Sequence, residues 1–561
     1  MNNLKMVGKV TIDYSKYMGQ DYYTDGSVEE ILLDSCMNGT EDELLRQSRD
    51  WPIVYHLADI RENVLEWYPI EKNDEVLEIG SGCGAITGIL SKKAKSVTCV
   101  ELSEKRSMIN AYRHKNSNNI EIKLGNFQDV EPDLKKYDCI TLIGVLEYAY
   151  LYIKGNNPFI EMLNIVRNHL KKSGKLIIAI ENKMGIKYLN GAPEDHTGKL
   201  YSGINDYTKG EKVKTFSDNE IKTMLYKSGF EYLQFYYPVP DYKLPNTIYS
   251  KEYQPKPGEI RTYKKVYSKE RVYNFYEDVI CDQLCADHMY SYMANSFVII
   301  AGLQDAKENN ILFAKYNRER KPEYRILTQI EKRGQQMFVI KKPLCKEART
   351  HIENIKYNEL EWKGTLKNIE CVNGEIDNGS YVARYVNGIT FDEKFYDIRN
   401  DSLMFVQEVR KLVETYLLPE KDKLQLFEVT DGFKKVFGEL YPSNAQSTVV
   451  SNVDLIFSNL KTADNGKVYA FDFEWVFDFP VPYRYIIWRA EKELYNEYRV
   501  YLKNQIDIDS YFKMLGMSMD EVNIYNKMEN NFFEYVCGLG GKEKYLKQYE
   551  KTVLMNETIF C

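Results

Sequence analysis

Three glycines alternate in V-L-E-I-G-S-G-C-G-A-I-T, residues 76–87, as Gly80, Gly82 and Gly84. An apolar run ends at Ile79, and a helical pattern starts after the last glycine. A turn without side chains lets the backbone bend sharply and approach a ligand that lies over the helix N-terminus. Glu101 follows Gly84 by seventeen residues, at the end of the next apolar run, T-C-V-E-L. A carboxylate there can accept from both hydroxyls of a ribose. Together the turn and the acid point to a ligand that contains a nucleoside. The spacing is GxGxG, not the GxGxxG of dinucleotide sites. Glu78, two residues before the first glycine, is placed to hold a cationic end of that ligand.

A second kind of chemistry is proton removal from a hydroxyl, for which histidine suits neutral pH. Of six histidines, His196 stands out, in G-A-P-E-D-H-T-G on a long polar stretch. Glu147 and Glu181 follow two other apolar runs and would share the same sheet edge, where ligands bind in open α/β folds. The alternative is that Asp195 and His196 are solvated turn residues. His56 reads as a core or positioning residue, and the other four histidines have no companion motif.

A third constellation lies in S-N-V-D-L-I-F-S-N-L-K-T-A-D-N-G-K-V-Y-A-F-D-F-E-W, residues 451–475. Asp454 precedes Asn459 by five, and Asp472 follows Asn459 by thirteen. Protein kinases place a catalytic Asp, a metal-binding Asn and a second metal-binding Asp in this order. Upstream, M-F-V-I-K-K-P puts Lys341 where a kinase lysine pairs nucleotide phosphates, with Glu347 or Glu353 to hold it. The match has departures. Asn452 replaces the histidine, Glu474 replaces the glycine of D-F-G, and no glycine-rich loop precedes Lys341.

The glycine turn with Glu101 resembles the class I S-adenosylmethionine-dependent methyltransferases, over about residues 45–303. That resemblance implies S-adenosylmethionine as cofactor, with Glu78, Gly80, Gly82, Gly84 and Glu101 around it. Asn126 and Phe127, in L-G-N-F-Q-D, would flank the adenine; the family's usual acid at the first of these is Asp. Gly144, in D-C-I-T-L-I-G-V-L-E-Y, would pass the methionine moiety. Three further motifs, D-Y-Y-T-D-G-S-V-E-E-I-L-L (21–33), E-N-K-M-G-I-K-Y-L-N-G-A-P-E-D-H-T-G (181–198) and F-Y-Y-P-V-P-D-Y-K-L-P (235–245), look like methyltransferases of bacterial surface-polysaccharide clusters. Residues 310–561 resemble choline- or aminoglycoside-kinase-like phosphotransferases. The combination resembles the O-antigen chain-terminating methyltransferase–kinases. It implies a glycan, glycan-phosphate or lipid-linked glycan acceptor. His196, Glu147 and Asp454 would be the catalytic groups, and Asn459 and Asp472 would hold Mg²⁺ for ATP bound with Lys341. Two alternatives remain: a sugar O-methyltransferase with a non-catalytic pseudokinase scaffold, or a second half that tethers the first to a glycosyltransferase.

These residues need elements to position them. Glu75–Ile79, Ser96–Val100, Ile120–Leu124, Cys139–Ile143 and Lys175–Ile180 read as buried strands. Ala85–Ala94, Glu104–Asn116 and Phe159–Leu170 read as helices between them. The fold class expected is α/β: a Rossmann-like, mostly parallel sheet of seven strands, then a two-lobed α+β kinase-like domain. Residues 1–44 are expected as an N-terminal segment or lid. Residues 45–303 form the first domain, with insertions at 181–215 and 243–294, and residues 310–561 the second, with a helical C-terminus. Ile311–Tyr316 is assigned to the second domain as the first of its three antiparallel strands.

Composition narrows the classes. The chain has 561 residues, with 75 Lys+Arg against 82 Asp+Glu and a net charge of −7, a poor prior for a nucleic-acid binder. No apolar run reaches the ~18–20 residues that span a bilayer, and the start M-N-N-L-K-M-V-G-K-V has no signal core. The expectation is a cytoplasmic chain, peripheral to the inner membrane face if its acceptor is lipid-linked. Ten cysteines without CxxC argue against structural zinc or a disulfide framework. The 46 tyrosines fit either sugar binding or core packing.

Overall fold

The computed structural model describes residues 3–21, 24, 26–48, 50–261, 271–304, 307–538 and 553–555. The chain divides into two compact units. The first comprises residues 1–255, 261–315 and 544–561, and the second residues 256–260 and 316–543.

In the first unit the strands are β1 (Leu4–Val7), β2 (Val10–Asp13), β3 (Glu75–Ile79), β4 (Ser96–Glu101), β5 (Ile120–Leu124), β6 (Tyr137–Ile143), β7 (Leu170–Glu181), β8 (Tyr232–Val239), β9 (Thr247–Ser250), β10 (Arg271–Tyr273), β11 (Ser296–Gly302) and β12 (Ile311–Tyr316). Its sheet runs β1-β2-β5-β4-β3-β6-β7-β11-β8-β9-β12. β2, β5, β4, β3, β6 and β7 pair in parallel. β11 inserts antiparallel between β7 and β8. The inner strands are covered on both faces, so they read in sequence as unbroken apolar runs and not as alternations. All seven residues of β11 are buried. The connecting helices start where the sequence caps them. Ser103 accepts from the Arg106 N–H ahead of Glu104–Arg113. Ser217 forms a full capping box with Glu220 ahead of Asp218–Lys227.

The five strands named from the sequence are present as β3, β4, β5, β6 and β7 in a sheet of eleven strands in this unit, not seven, and three expectations about their surroundings need correction. The N-terminal stretch does not stand apart from the sheet: β2 lies parallel to β5, and Asp21 accepts from Ser103 Oγ and the Glu104 N–H, each at 2.8 Å. Tyr22, Tyr23 and Asp25 of that motif lie outside the described residues. β9, placed within an insertion, is a sheet member paired with β8. β12 pairs antiparallel with β9. The boundary therefore falls near residue 315, not within 303–310. A strand of six residues with mixed burial reads the same whichever sheet it joins.

The second unit has the antiparallel strands β13 (Ile326–Arg333) and β14 (Gln336–Pro343), then β15 (Glu370–Cys371), β16 (Glu375–Asp377), β17 (Ser380–Arg384) and β18 (Gly388–Thr390). β13, β14, β17 and β16 are neighbours in that order. The helix Arg349–Trp362 follows β14. β15 pairs with Val468–Ala470, and β18 with Leu460–Ala463. The remainder is helical, including Tyr483–Glu497 and Met519–Cys537, over a core rich in rings such as Tyr485, Trp488, Tyr498, Tyr511 and Tyr525. Much of the tyrosine surplus therefore packs cores. The C-terminal region is not helical throughout, since Val553–Met555 pairs in parallel with β10. Among the described residues no helix is long and apolar enough to cross a membrane.

Candidate functional site

A cavity of about 410 Å³ opens at the C-terminal ends of β3, β4, β6 and β7, a volume usual for small-molecule sites. Its wall includes Glu78, Gly80, Gly82, Glu101, Asn126, Phe127, Gly144, Glu147, Glu181 and His196, so ten residues singled out in the sequence meet in one place. Gly84 does not line it. A Cβ at Gly84 would lie 2.3 Å from Asn110 Oδ1, so this glycine lets the helix Glu104–Arg113 approach.

At one end the glycine turn is held in an unusual backbone state, with φ +70° at Gly80 and +52° at Gly82. A Cβ at Gly82 would meet nothing within 4 Å, whereas one at Gly80 would strike Val145. The Gly82 N–H donates to Glu101 Oε2 at 2.7 Å, and the Leu102 and Ser103 N–H groups donate to Oε1 at 2.9 and 3.0 Å. Three backbone donors thus fix a buried carboxylate whose remaining lone pairs can accept from a ligand. Glu78 accepts from Thr87 Oγ1 at 2.6 Å, and burial pushes its pKa up to about 7. His114 binds the Gly84 carbonyl through Nε2 at 2.9 Å, and burial lowers its pKa to about 4, so it is neutral there. Asn126 Nδ2 donates to the Tyr152 carbonyl, which sets its loop across the cavity.

The other end is a buried charge cluster. His196 Nδ1 lies 2.9 Å from Glu194 Oε1, and Nε2 lies 3.5 Å from Glu147 Oε1 and 4.0 Å from Glu181 Oε2. Lys243 bridges Glu181 and Asp195, and Lys187 reaches Asp195 at 2.9 Å. Tyr242 donates to Glu181 at 3.4 Å. Burial alone would lower the His196 pKa, but Glu181, Glu147 and Glu194 hold it well above the usual value. Burial raises Glu147. Burial acts the same way on Glu181, but Lys243 and His196 overcome it and lower the pKa. His196 and Asp195 are therefore not solvated turn residues. Glu194, Tyr242, Lys243 and Arg61, which also shape this end, were not singled out as site residues. The quoted 235–245 motif carried Tyr242 and Lys243, but nothing local tied them to Glu181.

In the second unit the structure gathers Lys341, Asp472 and Glu474. Lys341 Nζ lies 2.7 Å from Asp472 Oδ1 and also pairs with Glu474. Glu474 takes the partner role expected of Glu347 or Glu353 on the following segment, a correction that follows from its position two residues past Asp472 in the same buried stretch. Arg320 bonds the other oxygen of Glu474. Burial, together with Glu474, pushes Asp472 up to about 6. Asp454 pairs with Arg489 at 2.8 Å, and Asn459 Nδ2 donates to the Asp454 carbonyl at 2.9 Å.

Residues 52–234 match the family model described as "Methyltransferase domain". A ribosomal RNA small subunit methyltransferase A of Fusobacterium nucleatum is 37% identical over 79 residues, 14% of this chain and 29% of that protein. Its counterpart in Clostridium acetobutylicum is 27% identical over 187 residues, 33% of this chain and 53% of that protein. The chain thus spans less than two thirds of the length of either relative. A solved S-adenosylmethionine-dependent methyltransferase from Archaeoglobus fulgidus aligns at 14% identity and a TM-score of 0.28, over 48% of this chain and 98% of that one.

Proposed function

We propose that residues 52–234, which match the family model described as "Methyltransferase domain", form a class I S-adenosylmethionine-dependent methyltransferase domain, and that the chain methylates a hydroxyl of a cell-surface glycan or its lipid-linked precursor. The observation that carries the reading is the shared cavity: the glycine turn and Glu101 line one end, and Glu147, Glu181 and His196 line the other. S-adenosylmethionine would lie with its ribose on Glu101, its adenine by Asn126 and Phe127, and its methionine end past Gly144. The sulfonium methyl then faces the acid cluster. Transfer is an in-line displacement, so the protein mainly aligns the acceptor oxygen and draws off its proton. The Glu147–His196 pair does the second, and Glu194 orients the imidazole. A neutral hydroxyl fits this end better than a phosphate, which would bring its own negative charge beside Glu147 and Glu181. The same acids oppose an RNA backbone, so the ribosomal RNA substrate in the relatives' names does not transfer readily.

The test is methyl transfer from labelled S-adenosylmethionine to extracted glycan lipids. His196→Ala should lower turnover by about 10²–10⁴-fold and leave S-adenosylhomocysteine affinity unchanged. Wild-type-like turnover in that variant would remove His196 from the reaction. A second activity, phosphoryl transfer from Mg²⁺-ATP, is favoured by one observation in the second unit: the buried Lys341 ion-pairs with Asp472. A scaffold role without catalysis is the alternative for that unit.

A further inference from the structure

We propose that Glu147, Glu181 and His196 form a divalent-cation site that would hold two neighbouring oxygens of the hydroxylated acceptor. The inference rests on the reading of this end of the cavity as the acceptor end. One ligand atom from each of the three residues lies within 4.8 Å of the others. The His196 Nε2 separations, 3.5 Å to Glu147 and 4.0 Å to Glu181, are long for hydrogen bonds. Two donors bound to one cation at about 2.1 Å stand about 3.0–3.4 Å apart, so the His196–Glu147 pair is already within a few tenths of an ångström of that spacing, and the His196–Glu181 pair, at 4.0 Å, would have to close by roughly 0.6–1.0 Å.

Two further observations point to a ligand. Glu147 Oε2 and Glu181 Oε2 are buried and accept no hydrogen bond, on side chains that are 1% and 0% exposed. His196 Nδ1 lies against Glu194 Oε1, the arrangement in which a metal-ligating histidine donates its other N–H to a carboxylate and so presents the free nitrogen to the ion. Lys243 and Tyr242 hold the opposite oxygen of Glu181, which aims the free one. One imidazole and two carboxylates suit Mn²⁺, Fe²⁺ or Zn²⁺. A cation there would lower the pKa of a coordinated hydroxyl. With the cation bound, His196 would be its ligand and the hydroxyl proton would pass to the Glu147 oxygen that does not hold the cation; the hydroxyl oxygen would bond the sulfonium methyl carbon, and the C–S bond would break to leave the thioether.

The experiment uses the full chain, dialysed against EDTA and titrated with Mn²⁺ while free Mn²⁺ is followed by electron paramagnetic resonance. The expected result is a Mn²⁺ site weakened at least tenfold by Glu181→Gln and by His196→Ala, and unchanged by Asp472→Asn in the second unit. Retained S-adenosylhomocysteine binding checks that the variants fold. Three results would overturn the proposal: no bound Mn²⁺, binding that survives both cavity variants, or binding lost with Asp472→Asn. Methyl transfer at full rate after EDTA treatment, with His196→Ala still slow, would overturn the cation and leave the acceptor-end assignment standing. Mn²⁺ held through Glu181, with no methylation of any hydroxylated acceptor, would support the cation and remove the hydroxyl reading.

Discussion

The Glu101 carboxylate is already fixed by three backbone N–H groups before any ligand arrives, so a ribose meets a pre-set acceptor. Glu101→Gln keeps the shape but turns one acceptor into a donor, which then faces an N–H. Loss of a charge-assisted bond of this kind costs roughly 1.5–3 kcal/mol. Calorimetry with S-adenosylhomocysteine should therefore show affinity about 10- to 150-fold weaker. Gly82→Val should be worse, since its side chain would enter the open space above the turn from a φ of +52°. Unchanged affinity in both variants would move the cofactor elsewhere. At this scale the sequence was informative where partners are close along the chain: the glycines, Glu101 and the strand-end acids were all visible. It was silent where partners are distant. Lys243 meets Glu181 from 62 positions away along the sequence, and no local pattern encodes that meeting. Gly84 looked identical to its neighbours but serves helix packing.

Elements were legible where burial is two-sided or a cap is written out. The parallel strands are continuous apolar runs, and Ser217 with Glu220 spells the start of a helix. The hairpin β1–β2 was not legible, since each strand has four residues and one is mostly exposed. One helix carries a consequence that no pattern shows. Glu491, on Tyr483–Glu497, is buried with Oε2 accepting no hydrogen bond, and burial outweighs Arg484 to push its pKa up to about 8. Between about pH 4.3 and that value the folded chain keeps a proton that the unfolded chain has released. Its contribution to stability is complete at low pH and is lost as pH rises through this window, at about 1.4 kcal/mol per pH unit for one fully coupled group. The melting temperature of the wild type should fall between pH 6 and pH 8. Glu491→Gln should flatten that fall and melt higher at pH 8. Parallel curves for the two proteins would mean that Glu491 is ionised in the folded chain.

Ligand-linked stability can read the cavity of the first unit and the proposed nucleotide site of the second separately. Saturation at 100 times a dissociation constant adds about 2.7 kcal/mol. S-adenosylhomocysteine should raise the melting transition without metal. If Asp472 and Asn459 reach phosphates through Mg²⁺, ATP should raise it only with Mg²⁺, and Lys341→Ala should abolish that shift. No shift at millimolar Mg²⁺-ATP would favour the scaffold role. The placement of β11 also dictates an order of events during synthesis. Its two neighbours, β7 and β8, end at Glu181 and Val239, yet the strand that joins them begins only at Ser296. Until it emerges from the ribosome, both neighbours present open backbone edges, which other nascent chains can pair with. The first unit is therefore most vulnerable to aggregation while residues 240–302 are being made, and a chain that stops before Ser296 should be found in inclusion bodies or bound to chaperones.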